Sequence, residues 1–349
     1  MSELISLTDI YAARERIAST AVRTPLLRLT RARLRMAGSP ELSESAANIY
    51  LKDESAQPIG SFKLRGAYNK IAQLAPAELQ RGVITYSSGN HAQGVAYAAR
   101  ALGAKAIIVM PENAPRIKRA ATEALGAEIV TVGPASTERR EMAEALVAQH
   151  GYIMVPPYDD DAIIAGQATC GLEILEQLAD VDLVLSPVSG GGLLSGVAAA
   201  CKLASEAAHR PAPQVWGCEP ELAADAHESF QTKTLVEWPA AKTTRTLADG
   251  LRTQSLGQRN FAHILHFVDG IVTVTEDEIR TALRILLAAT SIAAEPSGAV
   301  SLAAALFHAH ELPSATQSPS AKIVAIASGG NLDPGLRAEL EHQTAANPV

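Results

Sequence analysis

The stretch Gly60-Ser61-Phe62-Lys63-Leu64-Arg65-Gly66-Ala67-Tyr68 follows an apolar strand end at residues 49–52 and predicts the start of a helix. Apolar residues recur at helical spacing along this segment, at Leu64, Ala67, Ile71 and Leu74. Ser61 is a predicted N-cap, because its hydroxyl can accept a hydrogen bond from a free amide of the first turn. Lys63 then lies where the helix dipole disfavours a cation, which favours a neutral, nucleophilic amine. A lone lysine at a helix start is more often an ordinary surface residue, so the argument depends on the turns downstream.

The strongest of these turns is Ser189-Gly190-Gly191-Gly192-Leu193, between an apolar strand and a helix. Converging backbone amides and the dipole of the following helix make such a turn a phosphate cradle. The tract lacks the lysine of a nucleotide P-loop. Three consecutive glycines lose backbone entropy on ordering, so a bound phosphate explains the tract better than a purely structural turn.

Two further turns lie at predicted strand ends. Ser87-Ser88-Gly89-Asn90-His91 offers hydroxyls and helix N-terminal amides that suit a carboxylate. Ser328-Gly329-Gly330-Asn331 follows the last predicted strand. Alone, the first turn would be interpreted as a capped helix start and its histidine as structural. Together with Lys63, the three turns are what one phosphorylated cofactor would need.

Strands and helices alternate along most of the chain. Apolar segments predict strands at residues 83–86, 105–110, 128–132, 152–155, 181–188, 214–219 and 322–327. Helices are predicted between them, and a capping box at residues 275–278 opens another. Such repeated crossovers require parallel strands covered by helices, which is an α/β fold.

The segment Ser-Phe-Lys-Leu-Arg-Gly-Ala at 61–67 and the three turns resemble the fold-type II pyridoxal phosphate enzymes, closest to the serine/threonine dehydratase and serine racemase branch. The resemblance extends from Thr24 to Asn331. It implies a fold like the tryptophan synthase β subunit: two open, parallel-type α/β lobes with pyridoxal 5'-phosphate in the cleft. Residues 1–79 and 156–349 would form the large cofactor-binding lobe, and residues 80–155 a small mobile lobe. No regulatory domain of the biosynthetic threonine dehydratases is expected after the last motif.

The resemblance also assigns roles around the cofactor. Lys63 would bind it covalently and act as the base, Asn90 would bond its ring oxygen, and Ser328 would face the pyridine nitrogen. A serine cannot hold that nitrogen protonated as a carboxylate would, so the ring is a weaker electron sink, which favours β-elimination over transamination. The implied cofactor-binding residues are Phe62, Lys63, Asn90, Ser189, Gly190, Gly191, Gly192, Leu193 and Ser328.

The implied substrate-binding residues are Tyr86, Ser87, Ser88, Gly89, Asn90, His91 and Arg139. Ser88 matches the acid/base that racemases place opposite the lysine, so we count it with Lys63 as catalytic, although many dehydratases carry a serine there too. Tyr86 would border the side-chain pocket, where racemases often have histidine. Arg139 matches an arginine that can meet a second substrate carboxylate, although most arginines on such a helix make surface pairs.

An acidic turn, Glu219-Pro220-Glu221-Leu222-Ala223-Ala224-Asp225, follows another predicted strand. Two carboxylates and an intervening carbonyl can hold a hard divalent cation, and a solvated acidic turn fits the chemistry equally well. In the racemase branch a Glu, a backbone carbonyl and an Asp form a metal site. Glu219, Ala223 and Asp225 match those positions, so the resemblance implies Mg²⁺ or Ca²⁺.

Composition narrows the function further. The 349 residues are 47% hydrophobic, 19% charged and 4% aromatic, with a formal net charge of −7. This acidic, aromatic-poor chain offers no basic face for nucleic acid, and its sequence holds no membrane-spanning run or signal peptide. Three cysteines without metal-like spacing indicate a reduced, cytoplasmic protein. The family expectation for assembly is a homodimer.

These observations predict dehydration and deamination of a β-hydroxy amino acid, L-threonine or L-serine, to a 2-oxo acid and ammonia. Arg139 leaves 3-hydroxyaspartate open as a substrate, Tyr86 leaves phenylserine open, and Ser88 leaves serine racemase open. A non-catalytic protein that binds nucleotides or sugar phosphates through the glycine tracts is the alternative from another class. The intact lysine motif argues against that alternative.

Overall fold

A computed structural model of the chain describes residues 4–36, 48–87, 89–114, 116–133, 136–313, 318 and 320–339. Its strands form one four-stranded and one six-stranded sheet within those residues, and helices alternate with them along the chain. The helices are α1 (Leu7–Ile17), α2 (Arg31–Met36), α3 (Lys63–Ile71), α4 (Pro76–Arg81), α5 (Asn90–Ala101), α6 (Arg116–Ala124), α7 (Ser136–His150), α8 (Asp161–Gln177), α9 (Gly192–Ala207), α10 (Asp225–Thr232), α11 (Ala240–Thr243), α12 (Gln258–Phe267), α13 (Glu276–Ala289) and α14 (Pro296–Phe307).

The four-stranded sheet is parallel throughout and has the strand order β5-β4-β3-β6. Its strands are β3 (Val83–Tyr86), β4 (Ala106–Pro111), β5 (Glu128–Val132) and β6 (Ile153–Met154). Every residue of β4 is buried, as expected for a central parallel strand with helices on both faces. The sequence predicted all four strands to within one residue at most ends.

The six-stranded sheet has the order β1-β2-β10-β7-β8-β9. The strands are β1 (Leu26–Leu29), β2 (Asn48–Asp53), β7 (Leu183–Pro187), β8 (Gln214–Pro220), β9 (Gly270–Val274) and β10 (Lys322–Ala327). The β1 strand pairs antiparallel with β2, and the other pairs are parallel. The sequence analysis missed β1 and β9, since each is a short segment beside less regular chain.

The helix starts show where local sequence was decisive. Thr275 and Glu278 form the predicted capping box of α13. Ser61 does not cap α3: the helix begins at Lys63, its N-cap residue Phe62 makes no side-chain bond, and the Ser61 hydroxyl is buried without a hydrogen-bond partner among the described residues. Tertiary contacts of Ser61, described below, replace the predicted local one.

The parallel topology brings the predicted motifs together. The turns after β3, β7, β8 and β10 all leave the carboxyl ends of their strands, where open α/β sheets place ligands. The lobe boundaries at residues 80 and 155 stay a prediction. Within the part of the chain described, no helix has the length and apolar character needed to cross a bilayer.

Candidate active site

The lysine motif and the last strand turn form one joint. Ser61 forms an antiparallel bridge with Gly329, and the Phe62 amide donates to the Ser328 carbonyl at 3.1 Å. The amide of Gly330 donates in turn to the carbonyl of the residue before Ser61, at 2.9 Å. Two segments that are far apart in sequence are therefore held as adjacent backbone, with Lys63 directly beyond the joint.

Lys63 is partly buried at the first position of α3. Its Nζ donates to the Pro157 carbonyl at 2.7 Å and lies 5.2 Å from the centre of the Phe62 ring. Burial lowers the pKa of Lys63 to about 8. The sequence correctly predicted an amine that loses its proton easily, but burial is the cause rather than the helix dipole.

A buried ion network anchors α3 immediately after Lys63. Arg65 is fully buried and donates to Glu54 at 2.8 Å and to Glu173 at 2.7 Å. Lys52, also fully buried, pairs with Glu173 at 2.6 Å. Burial alone would raise the pKa of Glu54, and the Arg65 charge and hydrogen bonds outweigh it, lowering that pKa to about 2. These contacts fix the helix that carries the lysine against β2 and α8.

The glycine tract forms the start of α9. Gly191 is the N-cap residue, with a left-handed φ of 96°, and α9 begins at Gly192 with free amides at its N-terminus. Leu193 is buried, and the Ser189 hydroxyl lies 2.8 Å from that of Thr253. The geometry is that of the predicted anion cradle, and the free amides suit a phosphate group.

Asn90 and the last motif share a second hydrogen-bonded set, which includes a carboxyl group that the sequence analysis missed. Asn331 donates from Nδ2 to Asn90 Oδ1 at 2.7 Å, and Asn90 donates from its own Nδ2 to Glu295 Oε1 at 2.6 Å. Glu295 is only 2% exposed, and burial raises its pKa to about 7. The side-chain amide of Asn90 is thereby held in one orientation.

The remaining residues of the serine turn are placed as follows. Ser87 accepts a weak bond from the Gly89 amide, at 3.3 Å, and Ser88 lies outside the described residues. His91 is buried, with Nε2 at 3.0 Å from the Val155 carbonyl. Burial and the Lys63 charge lower the pKa of His91 to about 3, so the ring is neutral and donates from Nε2. Its observed contact holds the turn in place.

Tyr86 and Arg139 lie close enough to influence each other. Burial raises the pKa of Tyr86, and the charges of Arg139 and Arg140 act on it in the opposite direction. Burial lowers the pKa of Arg139, whose Nε is buried without a hydrogen-bond partner among the described residues. A guanidinium left in this state is ready for an anionic partner. The predicted surface pair for Arg139 is not what this geometry favours.

The acidic turn carries two buried carboxyl groups. Glu219 is 1% exposed and accepts from the amides of Ala226 and His227, at 3.2 and 2.8 Å. Asp225 is fully buried, and both of its carboxylate oxygens lack partners among the described residues. Burial raises the pKa of both groups, that of Asp225 to about 7, and Asp225 further raises that of Glu219.

This arrangement fits a cation better than a solvated turn. Two buried, mutually repelling carboxylates with unpartnered oxygens are stabilised by a positive charge. The described residues contain no group of three or more His, Cys, Asp or Glu side chains arranged for a metal. A cation between Glu219 and Asp225 would therefore complete its shell with water and backbone carbonyls, of which Ala223 is the predicted one.

Two residues near the site were missed by sequence reasoning. Glu295 stands in a Glu-Pro helix start, where an acidic residue needs no further explanation. Tyr158 follows the proline that accepts the Lys63 bond, in a segment without any glycine or serine motif. Local pattern carried no signal for either, because each gains its position from contacts with distant segments.

The fold and site define a class of protein: a cofactor-dependent α/β enzyme with a low-pKa lysine among glycine-rich strand ends. A family model described as pyridoxal-phosphate dependent enzyme matches residues 17–329. The L-threo-3-hydroxyaspartate ammonia-lyase of Saccharomyces cerevisiae is 38% identical over 327 residues, which are 93% of this chain and 93% of the yeast protein.

Solved structures agree with this match. A bacterial-strain threonine deaminase, designated T.th., is 43% identical with a TM-score of 0.83, over 94% of this chain and 99% of that chain. Maize serine racemase is 33% identical with a TM-score of 0.87, over 99% of both chains. The chain therefore belongs to the pyridoxal-phosphate dependent enzyme family, and the predicted family, fold class and cofactor are confirmed.

Proposed function

We propose that this enzyme catalyses β-elimination from a β-hydroxy amino acid, L-threonine or L-serine, giving a 2-oxo acid and ammonia. The observation that carries the proposal is the partly buried Lys63, with a pKa near 8, at the joint between the lysine motif and the Ser328 turn. The related ammonia-lyase and threonine deaminase, both similar over nearly the whole chain, support it.

The residues present fit the cofactor and divide the work around it. When bound, pyridoxal phosphate supplies the electron sink that makes the substrate Cα proton removable. The Lys63 amine takes that proton as general base. The amides and hydroxyls from Ser87 to Asn90 bind the α-carboxylate, and the free amides that begin α9 hold the phosphate. Water leaves from the β-carbon, and hydrolysis of the released enamine gives the 2-oxo acid and ammonia.

A substrate panel tests the reaction. Purified enzyme is given L-threonine, L-serine, L-threo-3-hydroxyaspartate and phenylserine, and 2-oxo acid release and the chirality of the remaining amino acid are followed. Release of 2-oxo acid from threonine or serine is expected. If D-isomer accumulates without 2-oxo acid, the enzyme is a racemase and Ser88 is its second acid/base.

3-Hydroxyaspartate is the second candidate substrate, because the buried Arg139 Nε has no described partner and a related enzyme is named for that substrate. If this is the substrate, Arg139→Met is expected to lower kcat/KM for it by about 100-fold, since losing one partner of a desolvated charge pair costs a few kcal/mol. Turnover of threonine would change little.

Arg140→Met is the matched control, because Arg140 is exposed and its contact with Glu144 is long, at 3.8 Å. A similar loss with both variants, or an equal loss for threonine and 3-hydroxyaspartate in Arg139→Met, would contradict a role for Arg139 in binding the second carboxylate.

We propose in addition that Glu219, Asp225 and the Ala223 carbonyl bind Mg²⁺ or Ca²⁺. Adding Mg²⁺ at 100 times its Kd is expected to stabilise the wild type by about 2.7 kcal/mol, by mass action. Asp225→Asn should lose this effect. Without the cation it should be at least as stable as wild type, because the variant removes a buried charge that repels Glu219.

The measurement is thermal unfolding with EDTA and with Mg²⁺, and Glu221→Gln, in the same turn but exposed, is the control. Equal Mg²⁺ stabilisation of wild type and Asp225→Asn would show that the cation binds elsewhere or not at all.

We also propose that the enzyme is a cytoplasmic homodimer with a small lobe of residues 80–155. The three cysteines, Cys170, Cys201 and Cys218, are free and buried, as in a reduced compartment. Light scattering of the purified protein would test the dimer directly.

A further inference from the structure

Tyr158 lies between the lysine and the glycine tract, although neither motif contains it. The carbonyl of the preceding Pro157 accepts the Lys63 bond at 2.7 Å. On its other side the Tyr158 ring packs against Gly190 so closely that a Cβ atom at Gly190 would overlap the ring. A Cβ atom at Gly192 would come within 3.1 Å of the Tyr158 Cβ.

The segment around Tyr158 is tied to the same helix start as the tract. The Asp159 carboxylate accepts from the Arg259 amide at 2.8 Å, at the beginning of α12. The amide of Gly257, just before α12, donates to the Gly190 carbonyl at 3.1 Å. The backbone on both sides of the ring is therefore fixed, so the Tyr158 ring cannot leave the tract without breaking these contacts.

We propose that Tyr158 is a positioning residue for the phosphate of the cofactor: its ring holds Gly190–Gly192 in the conformation in which the amides at the start of α9 converge on one anion. The proposal rests on the function proposed above, in which this tract binds the phosphate.

The physical reason lies in the tract itself. Three consecutive glycines have no side chains to pack and the largest backbone entropy to lose, and Gly191 adopts a left-handed conformation. An ordered cradle needs an outside surface that excludes its alternative conformations. A tyrosine ring supplies a large rigid surface with little entropy of its own to lose, and the glycine at 190 lets it approach the backbone directly.

The hydroxyl group of Tyr158 contributes separately. Burial raises the pKa of Tyr158, and the nearby Tyr86 and Asp159 raise it further, so the phenol stays neutral at physiological pH. Because the contact with Gly190 is made by ring carbons, the positioning role belongs to the ring and not to the hydroxyl. Tyr158→Phe should therefore preserve the cradle, and Tyr158→Ala and Tyr158→Leu should not.

The test compares two probes, pyridoxal phosphate and pyridoxal, on cofactor-free full-length protein. The ratio of their dissociation constants isolates the phosphate contribution. We expect Tyr158→Ala to reduce that ratio by about tenfold or more, since a shift of about 1 Å in a positioned site can cost that much. Pyridoxal binding itself should change little. Tyr97→Ala, whose ring packs in a different cluster, should leave the ratio as in wild type.

A suppressor experiment makes the test independent of a single variant. Gly190→Ala forces a methyl group into the ring and should weaken pyridoxal phosphate binding, and Gly190→Ala/Tyr158→Ala should bind it more tightly than Gly190→Ala alone. Thermal unfolding verifies that each variant is folded, and Tyr158→Leu serves if Tyr158→Ala is not.

The outcomes separate the two proposals. A wild-type preference for pyridoxal phosphate that persists in Tyr158→Ala and Tyr158→Leu, with no suppression in the double variant, overturns the role of Tyr158 alone. A wild type that binds both probes equally overturns the phosphate assignment of the tract, and with it this inference.

Discussion

Lys63→Ala is expected to abolish both turnover and the visible absorption of the bound cofactor. The lysine is the residue through which the cofactor would be attached and the base that would take the Cα proton, so its loss removes two functions at once. Absorption spectra of the purified variant and 2-oxo acid release with L-threonine measure the two effects separately.

Lys70→Ala is the matched control for Lys63→Ala. Lys70 lies on the same helix and pairs with Asp160 at 2.7 Å, away from the joint with the Ser328 turn. We expect this variant to keep its colour and most of its activity. A coloured and active Lys63→Ala protein would exclude Lys63 from both roles.

The pH dependence of cofactor attachment follows from the same residue. With a pKa near 8, far more Lys63 is neutral at pH 7 than would be the case at the ordinary lysine value of 10.5. The difference in neutral fraction is roughly 300-fold, from the two pKa values. The rate of reconstitution should therefore rise with pH and level off above about 8, whereas an ordinary lysine would give a rate that still rises at pH 10.

The parts that the sequence predicted correctly are those specified locally. The parallel strands, the capping box at Thr275 and the low pKa of Lys63 follow from apolar periodicity, side-chain chemistry or a motif. The placement of the glycine and serine turns at one sheet edge follows from parallel topology, since all such strands end on the same side.

The parts that were missed or wrong depend on contacts between distant segments. Ser61 has the residue type of a helix cap, but the bridge to Gly329 determines its position instead. Glu295 gained its raised pKa from burial beside Asn90, and Tyr158 gained its place from Gly190. No local pattern contains this information, because each of these environments is formed by segments far apart in the chain.

Arg65→Met is expected to give the largest loss of stability, about 3–5 kcal/mol, the cost of removing one partner from a buried ion pair. Methionine fills most of the space but leaves the buried Glu54 carboxylate without its cation, and leaves Glu173 with Lys52 alone. Urea unfolding at pH 7 measures the change. Adding Glu54→Gln to Arg65→Met should recover part of it, because the uncompensated charge is then removed.

The sign of the pH dependence provides a second test. The pKa of Glu54 is lowered to about 2 in the folded wild type, so its contribution to stability is present above its ordinary pKa of 4.5 and is lost as the pH falls towards 2. Without Arg65, burial dominates and the pKa of Glu54 rises. The difference in stability between wild type and Arg65→Met should therefore shrink as the pH falls.

Arg119→Met is the matched control, because Arg119 makes an ion pair with Glu123 on the exposed surface of α6, with a side chain that is 39% exposed. Exposed pairs of this spacing contribute only about 0.3–0.5 kcal/mol, since water screens the charges and both side chains lose freedom. If Arg65→Met were no more destabilising than Arg119→Met, the buried network could not be what fixes the helix that carries Lys63. The position of the catalytic amine would then depend on apolar packing of α3 alone.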